Sequence, residues 1–155
     1  MAPPLNLTNV PSFQTKHSSC FFIKFVILNT LKMIKSLLIV GLGGALGSIF
    51  RYLTSLAIGK YMPAKFPLGT FTANILGCFI IGLLFGYFEK NNLVNSDMKL
   101  FFATGFCGGY TTFSTFGYEN ISLFQSNNSL LAFAYIGASL FFGLLAVWFG
   151  LFLTK

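Results

Sequence analysis

The chain has 155 residues, of which 55% are hydrophobic and only 8% charged, and its mean hydropathy is +0.76. A water-soluble domain carries roughly 25% charged residues, so this chain cannot cover a globular surface in water and the membrane class comes first. The formal net charge of +7 comes from ten Lys and Arg against three acids; these cations are scattered at the ends of apolar runs, which suits lipid headgroups and argues against a nucleic-acid partner.

Residues 1–32 differ from the rest. Met1–Ser19 is rich in Pro, Asn, Ser and Thr and reads as disordered. Cys20–Leu28 is apolar but broken by Lys24, and it is too short to span a bilayer. No small-residue cleavage site marks it as a signal peptide. The expected division is a leader or disordered extension, 1–32, readable as a poor signal peptide, an amphipathic anchor or an over-extended start, and a four-helix membrane domain, 33–155, with Met33 the expected working start.

A spanning helix needs about 20 mostly apolar residues, and the membrane domain offers four such stretches. The first is expected over Ser36–Ile58. It carries Gly43, Gly47 and Arg51 at four-residue steps, so all three share one face, and Gly43-xxx-Gly47 lets a second helix approach closely. The second is expected over Leu68–Phe88, with Thr70 and Asn74 four apart on one face. The third, Leu100–Phe124, is expected to be interrupted. The fourth is expected over Leu130–Leu153, with Tyr135 and Ser139 sharing a face. The connectors, Gly59–Pro67, Glu89–Lys99 and Gln125–Ser129, are short, which favours adjacent antiparallel helices and places both ends of the domain on one side.

The third stretch contains Gly105-Phe-Cys-Gly-Gly-Tyr-Thr-Thr-Phe-Ser-Thr-Phe116. Gly108 and Gly109 are poor helix formers and two β-branched threonines follow. A break here would free carbonyls at membrane depth, where irregular backbone lines a cavity or holds an ion; the alternative is a continuous glycine-rich helix with Ser and Thr bonded back to their own carbonyls. Phe113 and Phe116 are three apart and share a helix face. Aromatic rings carry a positive edge, so ring edges beside the hydroxyls of Thr112 and Thr115 suit a small anion without a fixed positive charge. Core filling is the other reading of two phenylalanines among 21. Asn74, Tyr135, Ser139 and Glu119 are polar groups inside apolar helices, and each serves either as a pathway group or as glue between helices. Arg51 is the costliest of them and needs a carboxylate, carbonyls or headgroups.

Counted from Met33, the side holding the termini carries Lys35, Lys90, Lys99 and Lys155, and the other side carries Lys60 and Lys65, with Arg51 if it reaches outward. Orientation follows this Lys/Arg asymmetry. So small a bias allows insertion both ways up and an antiparallel pair, whereas Lys16, Lys24 and Lys32 of the leader strengthen a single orientation. Three cysteines and one histidine form no CxxC or Cys/His cluster, and no nucleotide motif or catalytic triad is present, so an enzyme is not expected.

The stretch Gly105–Phe116 resembles the signature of the Fluc/CrcB-type fluoride channels. Three further elements agree in order: Gly43-Gly-Ala-Leu-Gly-Ser-Ile-Phe-Arg-Tyr52, Gly69-Thr-Phe-Thr-Ala-Asn-Ile-Leu-Gly77 and Tyr135-Ile-Gly-Ala-Ser139. The likeness runs from about Met33 to the end, and the leader departs from it. The resemblance implies an all-α membrane protein of the cell membrane, with four transmembrane helices and the third broken mid-membrane. It further implies an antiparallel dual-topology homodimer that passes fluoride passively out of the cytoplasm. A structural Na⁺ at the dimer centre would be held by the backbone carbonyls of Gly108 and Thr111. Phe113 and Phe116 would meet fluoride edge-on, Asn74 would donate an amide N–H, and Tyr135, Ser139, Thr115 and Glu119 would form a polar track. Arg51 would sit near a vestibule. The runner-up is a small dual-topology proton-coupled drug or cation exporter working through Glu119; a third class is a membrane scaffold that transports nothing.

Overall fold

The computed structural model describes residues 13–61, 65–90 and 96–154, with side chains from residue 24 onward and without that of Ser96. Among the described residues every regular element is helical. The chain divides into two compact units, Met1–Lys35 and Ser36–Lys155.

The first unit holds the beginning of α1 (Phe13–Tyr61). Residues 13–19 of the expected disordered stretch Met1–Ser19 are helical; the part of that stretch before Phe13 lies outside the described residues. Once a helix is nucleated each further residue costs little, and Lys is a good helix former, so Lys24 and Lys32 do not end it. The Thr30 hydroxyl bonds back to Val26 O at 2.9 Å.

The second unit holds the remainder of α1 and four further elements. α2 runs Leu68–Lys90. α3 covers residues 96–110 and changes pitch along its length: one α turn at Ser96–Met98, a wide π-helical stretch Lys99–Cys107, and a closing turn Gly108–Tyr110. α4 runs Phe113–Gln125 and α5 runs Ser129–Thr154. The turn between α4 and α5 is closed by Asn127 in the left-handed region (φ 58°), which Asn tolerates better than most residues. Expected and observed bounds agree for α2 and α5 to within two residues.

Among the described residues three helical stretches, Lys24–Tyr61, Leu68–Lys90 and Ser129–Thr154, are long and apolar enough to cross a bilayer. The expected third crossing is divided between α3 and α4. α4 has 13 residues, about 20 Å at 1.5 Å per residue, and does not cross alone.

Glycine sets how closely these helices pack. A Cβ on Gly47 would strike Phe106 O and come within 2.8 Å of Tyr110 N, and one on Gly109 would strike Gly44 O. α1 and α3 therefore meet backbone to backbone. The same holds for α2 against α5, where a Cβ on Gly82 would strike Val147 O and one on Gly150 would lie 2.6 Å from Phe79 O. Such close approach is how helices gain van der Waals contact where lipid removes the hydrophobic drive. Beside the α4–α5 turn, Leu123, Ala132 and Tyr135 are buried with Phe66, Phe71 and Phe116 packed on them.

Candidate functional site: the break between α3 and α4

The break falls on Thr111 and Thr112, both extended (φ −87°, ψ 156° and φ −147°, ψ 118°). The glycine pair just before it stays helical. Thr112 then caps α4: its Oγ1 accepts the Thr115 N–H at 3.2 Å and donates to Thr115 Oγ1 at 3.0 Å. Thr111 turns back, with its N–H at 3.0 Å and its hydroxyl at 2.9 Å from Cys107 O.

Two side chains take up what the break releases. Asn74 on α2 pairs with Thr112 twice: Thr112 N–H donates to Asn74 Oδ1 at 2.8 Å, and Asn74 Nδ2 donates to Thr112 O at 3.2 Å. Arg51 on α1 donates from Nε to Gly109 O at 3.2 Å. Next to it Tyr110 OH and Thr54 Oγ1 lie 3.0 Å apart. Gly108 O and Thr111 O are among the carbonyls that lose their helical donors. Gly108 O would accept from Thr112 N–H in a continuous helix, and that donor goes to Asn74; Thr111 O would accept from Thr115 N–H, and that donor goes to Thr112 Oγ1. A Cβ at Gly108 would meet nothing within 4 Å, so its surroundings are open.

A cavity of about 260 Å³ opens beside the break, lined by Asn74, Cys78, Thr111, Thr112, Phe113, Phe116, Ser139 and Leu140. Phe113 is 84% exposed, and its ring lies 5.8 Å from that of Phe116, centroid to centroid. Ser139 Oγ is buried and has no hydrogen-bond partner among the described residues. A buried hydroxyl left unpaired costs free energy, so this one stands ready for a ligand or water.

Behind the cavity is a second polar cluster. Glu119 Oε1 accepts from Thr70 Oγ1 at 2.7 Å and Oε2 accepts from Tyr135 OH at 2.9 Å. Tyr135 is fully buried. Its ring meets Phe116 edge-on at 4.9 Å and Phe66 edge-on at 5.0 Å, so Phe116 is the wall shared by the cavity and the carboxylate cluster.

A family model described as "CrcB-like protein, Camphor Resistance (CrcB)" matches residues 38–151. The chain is 55% identical over 121 residues to the fluoride-specific ion channel FluC of Flavobacterium psychrophilum, covering 78% of this chain and 98% of that protein. It is 45% identical over 123 residues to the protein of the same name from Azobacteroides pseudotrichonymphae, covering 79% and 98%. To that of Gloeothece citriformis it is 49% identical over 119 residues, covering 77% and 96%. This chain belongs to the CrcB-like family. It is a multi-pass protein of the cell membrane.

In this CrcB-like chain the residues singled out from sequence fall into three neighbouring groups. Asn74, Phe113, Phe116 and Ser139 line the cavity with Thr111; Thr115 reaches it through Thr112; Glu119 and Tyr135 form the cluster behind Phe116. Arg51 lies at the break on the α1 side and Gly108 on its open side. Sequence reasoning passed over Thr70 as a Glu119 partner and Cys78 as a cavity wall. The signal was present: Thr70, Asn74 and Cys78 sit at four-residue steps and form one stripe of α2.

Proposed function

We propose that this chain is a passive fluoride-selective channel of the cell membrane that lowers cytoplasmic fluoride by efflux and works as an antiparallel homodimer. The cavity at the break carries this reading, because the donors and ring edges facing it are neutral. The name shared by the relatives supports it independently. Under this reading the half-helices α3 and α4 together make the fourth crossing, and two copies inserted in opposite orientations place their breaks against each other.

Fluoride is small and tightly hydrated, so a pore must replace its water with aimed donors and still release it. The Ser139 hydroxyl and the second Asn74 amide hydrogen supply such donors, and the edges of Phe113 and Phe116 supply weaker positive potential. Without Lys or Arg on the cavity wall the ion is not held fast. Thr115, Tyr135 and Glu119 continue the polar track behind Phe116, and Arg51 braces the break through Gly109 O.

The same break suits a structural Na⁺. A hard cation takes neutral oxygen ligands, and Gly108 O and Thr111 O have both lost their helical donors. Those two carbonyls from each copy would hold the ion, which would supply positive charge where four carbonyl dipoles converge.

The test is fluoride efflux from liposomes containing the purified chain, followed with a fluoride electrode beside a chloride control. Fluoride-only efflux that needs no pH gradient is expected. A well-folded protein that releases none, or that releases it only under a proton gradient, refutes the passive channel.

A further inference from the structure

Cys78 on α2 and Cys107 at the end of the π-helical stretch are both free thiols. They come from different elements yet line one partly open cavity of about 180 Å³, together with Gly77, Ile81, Ala103, Gly108 and Thr111. Cys107 is 2% exposed. Among the described residues the wall carries no carboxylate, imidazole or amine, so the two cysteines are its only soft donors there, the Thr111 hydroxyl being already committed to Cys107 O. Zn²⁺ wants about four ligands in a tetrahedron, which this wall does not offer. Soft ions select thiolates, and those content with two in a line need nothing more.

We propose that Cys78 and Cys107 form a two-thiolate site for a soft, thiophilic cation of the Hg²⁺, Ag⁺ or Cu⁺ class, and that filling it blocks conduction. For Hg²⁺ two S–H bonds break, two S–Hg bonds form and two protons leave to water, with no change of oxidation state. The block arises because Cys78 and Thr111 line this cavity and the anion cavity alike. A metal bridging Cys78 to Cys107 fixes the wall between them and ties α2 to α3 beside the break. The site itself is independent of the fluoride reading; only the block rests on it.

The experiment uses the full chain carrying Cys20→Ser, so that the third thiol takes no part. Hg²⁺ is added to liposomes in the presence of glutathione, and bound mercury per chain is counted by mass spectrometry of the intact protein alongside fluoride efflux. One Hg²⁺ per chain, and efflux slowed at least tenfold relative to the same liposomes without metal, are expected. Cys78→Ser or Cys107→Ser in that background should each lower mercury retention at least a hundredfold, because one thiolate cannot chelate against glutathione. Methylmercury, which takes a single thiolate, should show no such pairing. Two Hg²⁺ per chain, or one retained undiminished in either serine variant, overturns the paired site. A chain that binds one Hg²⁺ but conducts no fluoride leaves the site standing and rejects the channel.

Discussion

The side-chain amide of Asn74 replaces a missing turn of helix for Thr112: it accepts from the threonine N–H at 2.8 Å and donates to its carbonyl at 3.2 Å. Each main-chain group left unpaired away from water costs about 1–3 kcal/mol. Asn74→Ala therefore orphans two groups at once and should lower the melting temperature measurably as well as abolish fluoride efflux. A plain pore donor, by contrast, would lose flux and keep its melting temperature. Thermal unfolding in detergent beside the efflux assay separates the two, and an unchanged melting temperature would sink the clasp.

The glycines divide into those that packing requires and those that it leaves open, Gly108 among the latter. At Gly47 a Cβ would strike Phe106 O and approach Tyr110 N at 2.8 Å, both main-chain atoms that cannot step aside. Gly47→Ala should drive α1 from α3 and yield little folded protein on size-exclusion chromatography. At Gly108 a Cβ meets nothing within 4 Å, and Ala is favoured over Gly in a helix by up to about 1 kcal/mol. Gly108→Ala should fold normally. If the breaks of two copies face each other, the added methyl stands in that interface and should cut the dimer fraction in detergent at least tenfold; an undiminished dimer places the interface elsewhere.

How much of this was open to reading from sequence depended on whether local chemistry or packing made the decision. α2 and α5 are unbroken apolar runs, and their bounds followed from length and hydropathy. The break was legible as a place but not as a residue: the Gly108–Gly109 pair drew attention, yet Gly109 stays helical because its missing side chain lets Gly44 come close. The extended residues are Thr111 and Thr112, whose branched side chains favour that backbone and whose partner, Asn74, lies 38 residues away. The first helix was expected from Ser36, with Cys20–Leu28 set apart because Lys24 interrupts it, whereas α1 is helical from Phe13; lysine does not break a helix. The Thr70–Glu119 bond spans 49 residues, and no local pattern announces a pairing that exists only once α2 and α4 are packed.

Glu119 offers a contrast between coupling and structure. Both of its oxygens already accept a hydroxyl, from Thr70 and from Tyr135. Tyr135→Phe and Thr70→Val should each destabilise the fold by about 1–3 kcal/mol, and the double variant should depart from additivity because both act on one carboxylate. Glu119→Gln can still accept from one hydroxyl at its oxygen. As a passive channel the Gln variant should conduct without a pH gradient, as the wild type does. If wild-type flux instead follows the proton gradient and Glu119→Gln removes that dependence, the carboxylate is a coupling site and transport is active.

Arg51 changes the charge balance that governs insertion. With Nε bound to Gly109 O at the break, its charge belongs to the site and does not act as a loop cation. The side opposite the termini is left with Lys60 and Lys65, against Lys35, Lys90, Lys99 and Lys155 on the near side. Lys16, Lys24 and Lys32 lie in the part of α1 that precedes the expected crossing Ser36–Ile58 and, on that reading, add to the near side. Because cations near the ends of crossings hold their side in the cytoplasm, the full chain should insert predominantly with its termini inside. Changing Lys16, Lys24 and Lys32 together to Gln should raise the share inserted the other way several-fold, and with it the number of antiparallel pairs and the fluoride flux per chain. An impermeant maleimide applied to intact cells, reading a single cysteine added at the C-terminus of a chain whose Cys20 is serine, measures that share directly. Equal labelling of the wild type and the triple variant would show that the leader has no hold on orientation.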